Sequence, residues 1–239
     1  MSTAKERLIV ALDYDTMSEV ENLLSRLQGQ VGYYKVGLQL FSRTGPQVIN
    51  YLREQGEKVF ADLKLHDIPN TVAKATRALT ALGAGIIDVH VSGGTEMMKA
   101  AVRAAGEAAR EYGVDRPYVI GVTVLTSLDQ EALGELGLPQ VEITRLAVNW
   151  AKLAQNAGLD GVVASPLEAK AIRAACGPDF LIVTPGIRPR QVAAHDQKRI
   201  TTPAEAVALG ASHLVVGRAI TDAADPGQAA RAILAEMEG

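Results

Sequence analysis

Apolar positions fall along this chain in eight short runs, separated by longer stretches with helical spacing. The runs are RLIVALD (7–13), YYKVGL (33–38), KVFADLK (58–64), IIDVHVS (86–92), YVIGVTVL (118–125), GVVAS (161–165), LIVTPGI (181–187) and HLVVGRAI (213–220). They are rich in Val and Ile at consecutive positions, as strands buried on both faces are. Between them, EMMKAAVRAAGEAAREYG (96–113) and ITRLAVNWAKLAQNAG (143–158) read as amphipathic helices. Strand then helix, repeated eight times, predicts a parallel sheet. Eight repeats in 239 residues predict an α/β fold closed as a (β/α)8 TIM barrel.

Three segments echo one another: ALGAGIIDV, NAGLDGVVA and ALGASHLVV each run from a helix end, through Gly, into the next strand. Glycine there supplies a left-handed cap, so the echo marks a repeated turn and carries no chemistry of its own. No linker, low-complexity tract or shift in composition divides the chain, which predicts one domain over 1–239.

Charge interrupts the pattern most sharply in VFADLKLHDIPNT (59–71), which begins as a core strand and then carries Asp62, Lys64 and Asp67. Side chains alternate along a strand. Val59, Ala61 and Leu63 share one face, and Phe60, Asp62 and Lys64 share the other. The outer face of a barrel packs on helices, so the apolar set goes outward. Asp62 and Lys64 then point inward at the C-terminal end of strand three, where barrel enzymes place their chemistry. Asp13 closes the first run on the face of Ile9 and Ala11, and Lys35 shares a face with Tyr33 and Gly37. Three neighbouring strands thus bring Asp13, Lys35, Asp62 and Lys64 to one mouth. An ion-pair plug of the barrel top is the alternative. Burying so many charges without a use is costly, and ionisable groups gather at functional sites, so an active site is the preferred reading.

Runs seven and eight lead into TPGIRPRQ and VVGRAITDA. The loops after strands seven and eight of such barrels often hold phosphate. Gly217 lets the backbone approach an anion, Arg218 can fork onto phosphate oxygens, and Arg188 is a candidate second clamp. The polar, aperiodic stretch 188–199 has the length of a lid.

Composition narrows the classes. A formal net charge of −3 excludes a broad basic surface and argues against nucleic acid as a partner. The single cysteine, Cys176, cannot form an internal disulfide, which suits a reducing compartment, and it sits in a helical pattern that suits an inert thiol. The N-terminal apolar run ends at Asp13, too soon for a signal peptide or a membrane span, so a soluble cytoplasmic protein is expected. His66, His90, His195 and His213 are scattered over four segments and make no metal cluster. His90 shares an inward face with Asp88 and reads as a satisfied polar residue.

FADLKLHDIPNT, with VALD upstream, VTVLTS midway, and TPGIRP and VVGRAIT downstream, closely resembles the orotidine 5′-phosphate decarboxylase family. The resemblance covers essentially the whole chain, with the motifs in the family's order. It implies a homodimeric barrel that converts orotidine 5′-monophosphate to uridine 5′-monophosphate and carbon dioxide, the last step of pyrimidine nucleotide synthesis, with no cofactor and no metal. Carried onto this sequence, it implies that Lys35, Asp62 and Lys64 come from one subunit while Asp67 and Thr71 reach in from the other. It implies that Asp13 and Lys35 hold ribose hydroxyls, that Thr126 or Ser127 lies by the pyrimidine, and that Pro185 flanks the ligand. Arg188, Gln197, Gly217 and Arg218 would serve the pyrimidine and phosphate ends. Related phosphosugar barrels, such as keto-gulonate phosphate decarboxylase and hexulose phosphate synthase, share the strand-three pattern but use magnesium. LTS and TPGIRP favour the nucleotide enzyme over them. A Schiff-base aldolase is disfavoured because GVVAS carries no lysine. A non-catalytic nucleotide binder would not require Lys64 among acids.

Overall fold

The computed structural model describes residues 3–27, 29–189 and 201–238. Eight parallel strands close into a barrel in sequence order: β1 (Leu8–Leu12), β2 (Tyr33–Gly37), β3 (Val59–Leu65), β4 (Ile86–His90), β5 (Tyr118–Val122), β6 (Gly161–Val163), β7 (Leu181–Thr184) and β8 (His213–Val216). β8 pairs back onto β1 through Leu8 and Leu214, so no strand edge is left open. Each predicted run coincides with one strand, β3 running one residue further to Leu65, and the two helices read from periodicity appear as Thr95–Tyr112 and Ile143–Asn156.

The turns between helix and strand explain the repeated glycine. Gly83, Gly158 and Gly210 all have positive φ (76°, 88° and 101°). The residue after each donates its N–H five residues back, as Ala84 does to Leu79, Leu159 to Ala154 and Ala211 to Ala206. That reversal satisfies carbonyls at the helix end and aims the chain into the next strand. At Gly161 the constraint is steric, because a Cβ would lie 2.4 Å from the Leu181 carbonyl oxygen of β7.

The strand faces sort as the alternation predicts. Ile9, Ala11, Tyr33, Phe60, Ile86, Ile120, Val183 and Val215 form the core inside the barrel. Val59 and Ala61 lie in the outer core under the helices, with Leu63 packed against it. Phe60 is 1% exposed, and its truncation to Ala would cost about 3–5 kcal/mol.

The run 213–220 is strand only to Val216, after which Gly217 caps a single helical turn, Arg218–Thr221, so Gly217 and Arg218 follow strand eight as expected. One expectation is corrected. The run 118–125 is strand only to Val122, and Thr126 and Ser127 occupy a turn beyond it. Strand β3 is also irregular. Ala61 pairs with Ile87 and Leu65 with Val89, so Asp62, Leu63 and Lys64 stand opposite the single β4 residue Asp88. This bulge sits at the barrel mouth.

Candidate active site

A cavity of about 300 Å³ opens at the C-terminal ends of the strands. One wall is a chain of alternating charge. Lys35 Nζ stands 3.2 Å from Asp13 Oδ1 and 3.1 Å from Asp62 Oδ2. The other oxygen of Asp62 accepts from Lys64 Nζ. The four residues predicted to meet at one mouth therefore do so, in the order Asp13, Lys35, Asp62, Lys64.

Register explains how Lys35 reaches its place. Lys35 is opposite Phe60, one layer below Asp62, and Gly37 is opposite Asp62. A Cβ on Gly37 would lie 3.0 Å from Lys35 Nζ and 3.6 Å from Asp13 Oδ1. The missing side chain is the space into which the Lys35 ammonium rises. Gly37 was legible as an inward position, but nothing in its own pattern marked it as a spacer.

Burial would discharge Lys35, yet the charges of Asp62 and Asp13 outweigh it and hold the ammonium above its ordinary pKa. Burial likewise opposes ionisation of Asp62, and Lys35, an Asp88 hydrogen bond and Lys64 together hold that carboxyl below the usual range. Asp88 moves the other way. It is fully buried, and desolvation followed by the Asp62 charge pushes it well above the ordinary carboxyl range.

Across the cavity stand Thr126, Pro185, Arg188, Gly217 and Arg218. Arg188 is buried, and its backbone N–H donates to the Thr201 carbonyl at 3.1 Å, beside a parallel bridge between Ile187 and Thr201. A Cβ on Gly217 would face Asp13 Oδ2 at 3.8 Å, at the cavity edge. Thr126 lines the cavity, whereas Ser127 is exposed and does not.

Asp67 and Thr71 are not brought to this cavity. Both are exposed, in a run from His66 to Thr71 with no buried residue. Asp67 instead accepts the Ile68 N–H at 2.6 Å, and Thr71 lies in the first turn of the helix Pro69–Ala81. Gln197 and most of the expected lid, 188–199, lie outside the described residues. His90 sits 5.2 Å, centroid to centroid, from the ring of His66. Among the described residues, no group of three or more His, Cys, Asp or Glu is placed to hold a metal ion, and no helix is long and apolar enough to cross a membrane.

A closed parallel barrel with a chain of lysines and carboxylates on the wall of a cavity at its C-terminal face defines a (β/α)8-barrel enzyme. More narrowly, the chain belongs to the orotidine 5′-phosphate decarboxylase / HUMPS family, whose model matches residues 6–233. It is 53% identical over 236 residues to an orotidine 5′-phosphate decarboxylase of Moorella thermoacetica, covering 98% of this chain and 93% of the relative. A second, from Syntrophomonas wolfei, is 48% identical over 236 residues, covering 98% and 99%. The crystal structure of orotidine 5′-phosphate decarboxylase from Lactobacillus acidophilus superposes with a TM-score of 0.86 at 40% identity, covering 97% of this chain and 99% of that one.

Proposed function

We propose that this chain decarboxylates orotidine 5′-monophosphate to uridine 5′-monophosphate and carbon dioxide, without a cofactor or metal, in the cytoplasm. The observation that carries the reading is the Asp62–Lys64 pair on the cavity wall, opposite Gly217 and Arg218. The names of the relatives favour the nucleotide substrate over a phosphosugar.

The reaction breaks the bond between C6 of the pyrimidine and its carboxylate. The electron pair stays on C6, in the ring plane, where no neighbouring carbonyl takes it up directly. Lys64 meets that need as a fixed cation near the developing charge, and then as the acid whose proton moves from Nζ to C6. The neutral amine left behind regains a proton from water. Asp62 stands by the departing carboxylate and raises the energy of the bound substrate relative to the transition state. Asp13 and Lys35 hold ribose hydroxyls, Thr126 contacts the pyrimidine, Pro185 flanks it, and Arg188 and Arg218 grip the anionic end together with Gly217. The phosphate is remote from the bond that breaks, so its binding energy orders the site.

The active unit is a homodimer, with Asp67 and Thr71 entering the partner's cavity. Supporting this, the segment that carries them is exposed throughout and includes Ile68, 66% exposed, an apolar side chain suited to burial against a second copy.

The test is the loss of orotidine 5′-monophosphate absorbance with purified protein, with and without EDTA. Turnover unchanged by EDTA is expected. Loss of turnover that magnesium restores would move the chain to the metal-dependent phosphosugar enzymes.

A further inference from the structure

The bulge in β3 leaves Lys64 in a conformation that its own side chain disfavours. Lys64 has φ of 49°, the one positive value at a non-glycine residue among the described residues. For a residue with a Cβ this conformation is disfavoured, so neighbouring groups must hold it. The holder is Asp88, whose Oδ1 accepts the Lys64 backbone N–H at 2.8 Å.

The second oxygen of Asp88 raises a separate question. Asp88 is 0% exposed, and Oδ2 receives a hydrogen from no protein donor. Asp62 stands opposite Asp88 across the bulge, and the two carboxyl groups bear on each other's ionisation. Two carboxyl groups in contact cannot both be ionised in a dry site, and one proton between them turns repulsion into a hydrogen bond. Asp62 already accepts from Lys35 and Lys64, so Asp62 keeps the charge and Asp88 keeps the proton. The four charges of the ion-pair chain then balance, with Lys35 and Lys64 against Asp13 and Asp62. An ionised Asp88 would add an unmatched negative charge behind the place where the substrate's own carboxylate binds.

We propose that Asp88 is a positioning residue for this reaction, a neutral carboxylic acid that pins the Lys64 turn through one oxygen and donates its O–H to Asp62 through the other. It does not line the cavity and touches no reacting atom. It acts through the two groups that do, by fixing where the Lys64 side chain starts and which way the Asp62 carboxylate faces. The inference rests on the decarboxylation proposed above.

Two substitutions separate this role from bulk stability. Asp88→Asn supplies an amide oxygen for Lys64 and an N–H for Asp62 in the same shape, and carries no proton to lose. Asp88→Ala supplies neither. The Asn variant should keep kcat and KM for orotidine 5′-monophosphate within about threefold of the parent. The Ala variant should lose about 100-fold in kcat with KM within about threefold, the signature of a misplaced group. An Asn variant as impaired as Ala would mean that an ionised carboxylate is required, and would overturn the proposal. Parental kcat in the Ala variant would overturn it too. Infrared spectroscopy gives a readout independent of turnover and of the Ala variant's folding. At neutral pH the parent should show the C=O band of a protonated carboxylic acid, and Asp88→Asn should lack it. Lack of that band in the parent refutes the neutral acid. A parent that shows the band but does not turn over the nucleotide refutes the assigned reaction instead.

Discussion

Lys35 Nζ meets Asp62 Oδ2 at 3.1 Å although the two residues are not register partners; Asp62 faces Gly37, and Lys35 rises past that glycine to reach it. The pair thus depends on an absent side chain. Gly37→Ala should push the Lys35 ammonium off Asp62 and Asp13 while the barrel stays folded. A loss of about tenfold in kcat/KM is expected, since small displacements of positioning groups are costly. Unchanged kinetics with a cleanly folded variant would show that Lys35 has room to spare.

Lys64→Ala and Asp67→Ala should each be nearly inactive, with Lys64→Ala losing about 10⁴-fold or more in kcat as both a cation and an acid are removed. Nucleotide binding should persist in the Lys64 variant. If the sites are shared as proposed, the two variants refolded together should form mixed dimers in which one site carries both defects and the other carries neither. Random pairing puts about half the dimers in the mixed state, so about a quarter of all sites are intact. Activity recovered near that level supports a shared site. No recovery, with mixed dimers demonstrated by mass, places the function of Asp67 within its own subunit.

Arg218→Ala should weaken the enzyme selectively. The loss in kcat/KM should be large with the nucleotide and small with the nucleoside that lacks phosphate. Equal losses on both substrates would make Arg218 a structural residue.

Acid should destabilise the barrel through His213 at its N-terminal end. The ring packs edge-on to Tyr33 with centroids 6.1 Å apart, and Nδ1 is buried without a partner. Burial, and then the Arg7 charge, push its pKa down to about 4 from 6.5. The unfolded chain therefore takes up this proton before the folded one does. The contribution is fully present above pH 6.5 and is lost as pH falls toward 4, on the order of 3 kcal/mol in all. Urea unfolding across that window should show the slope in the parent and a shallower one in His213→Gln. An identical slope in both would assign the acid sensitivity to other groups.

The barrel was legible because its strands are consecutive apolar runs, a pattern that a closed parallel sheet demands and few other folds allow. The charged wall was legible for a related reason: period-two alternation alone places Asp13, Lys35, Asp62 and Lys64 inside. The bulge was not legible. No glycine marks it in ADLKL, and it is set by pairing with β4, a contact that local spacing does not encode. Asp88 was recognised as inward, but its role depends on where the bulge aims the Lys64 N–H. Thr126 and Ser127 could not be separated by strand alternation because they lie in a turn.

The alternating order of the mouth, acid to base to acid to base, also constrains how this wall can change over generations. Replacing Lys35 or Asp62 breaks the buried pair between them and leaves the other with an excess of charge, a break that typically costs about 3–5 kcal/mol. Removing Lys35 and Asp62 together leaves no buried orphan, only the more exposed Asp13 and Lys64, so the double change should be milder than the sum of the two. Sequence drift at these two positions is therefore coupled. A single step meets a barrier that a paired step avoids, which leaves a lineage few paths for altering this wall while keeping a folded protein.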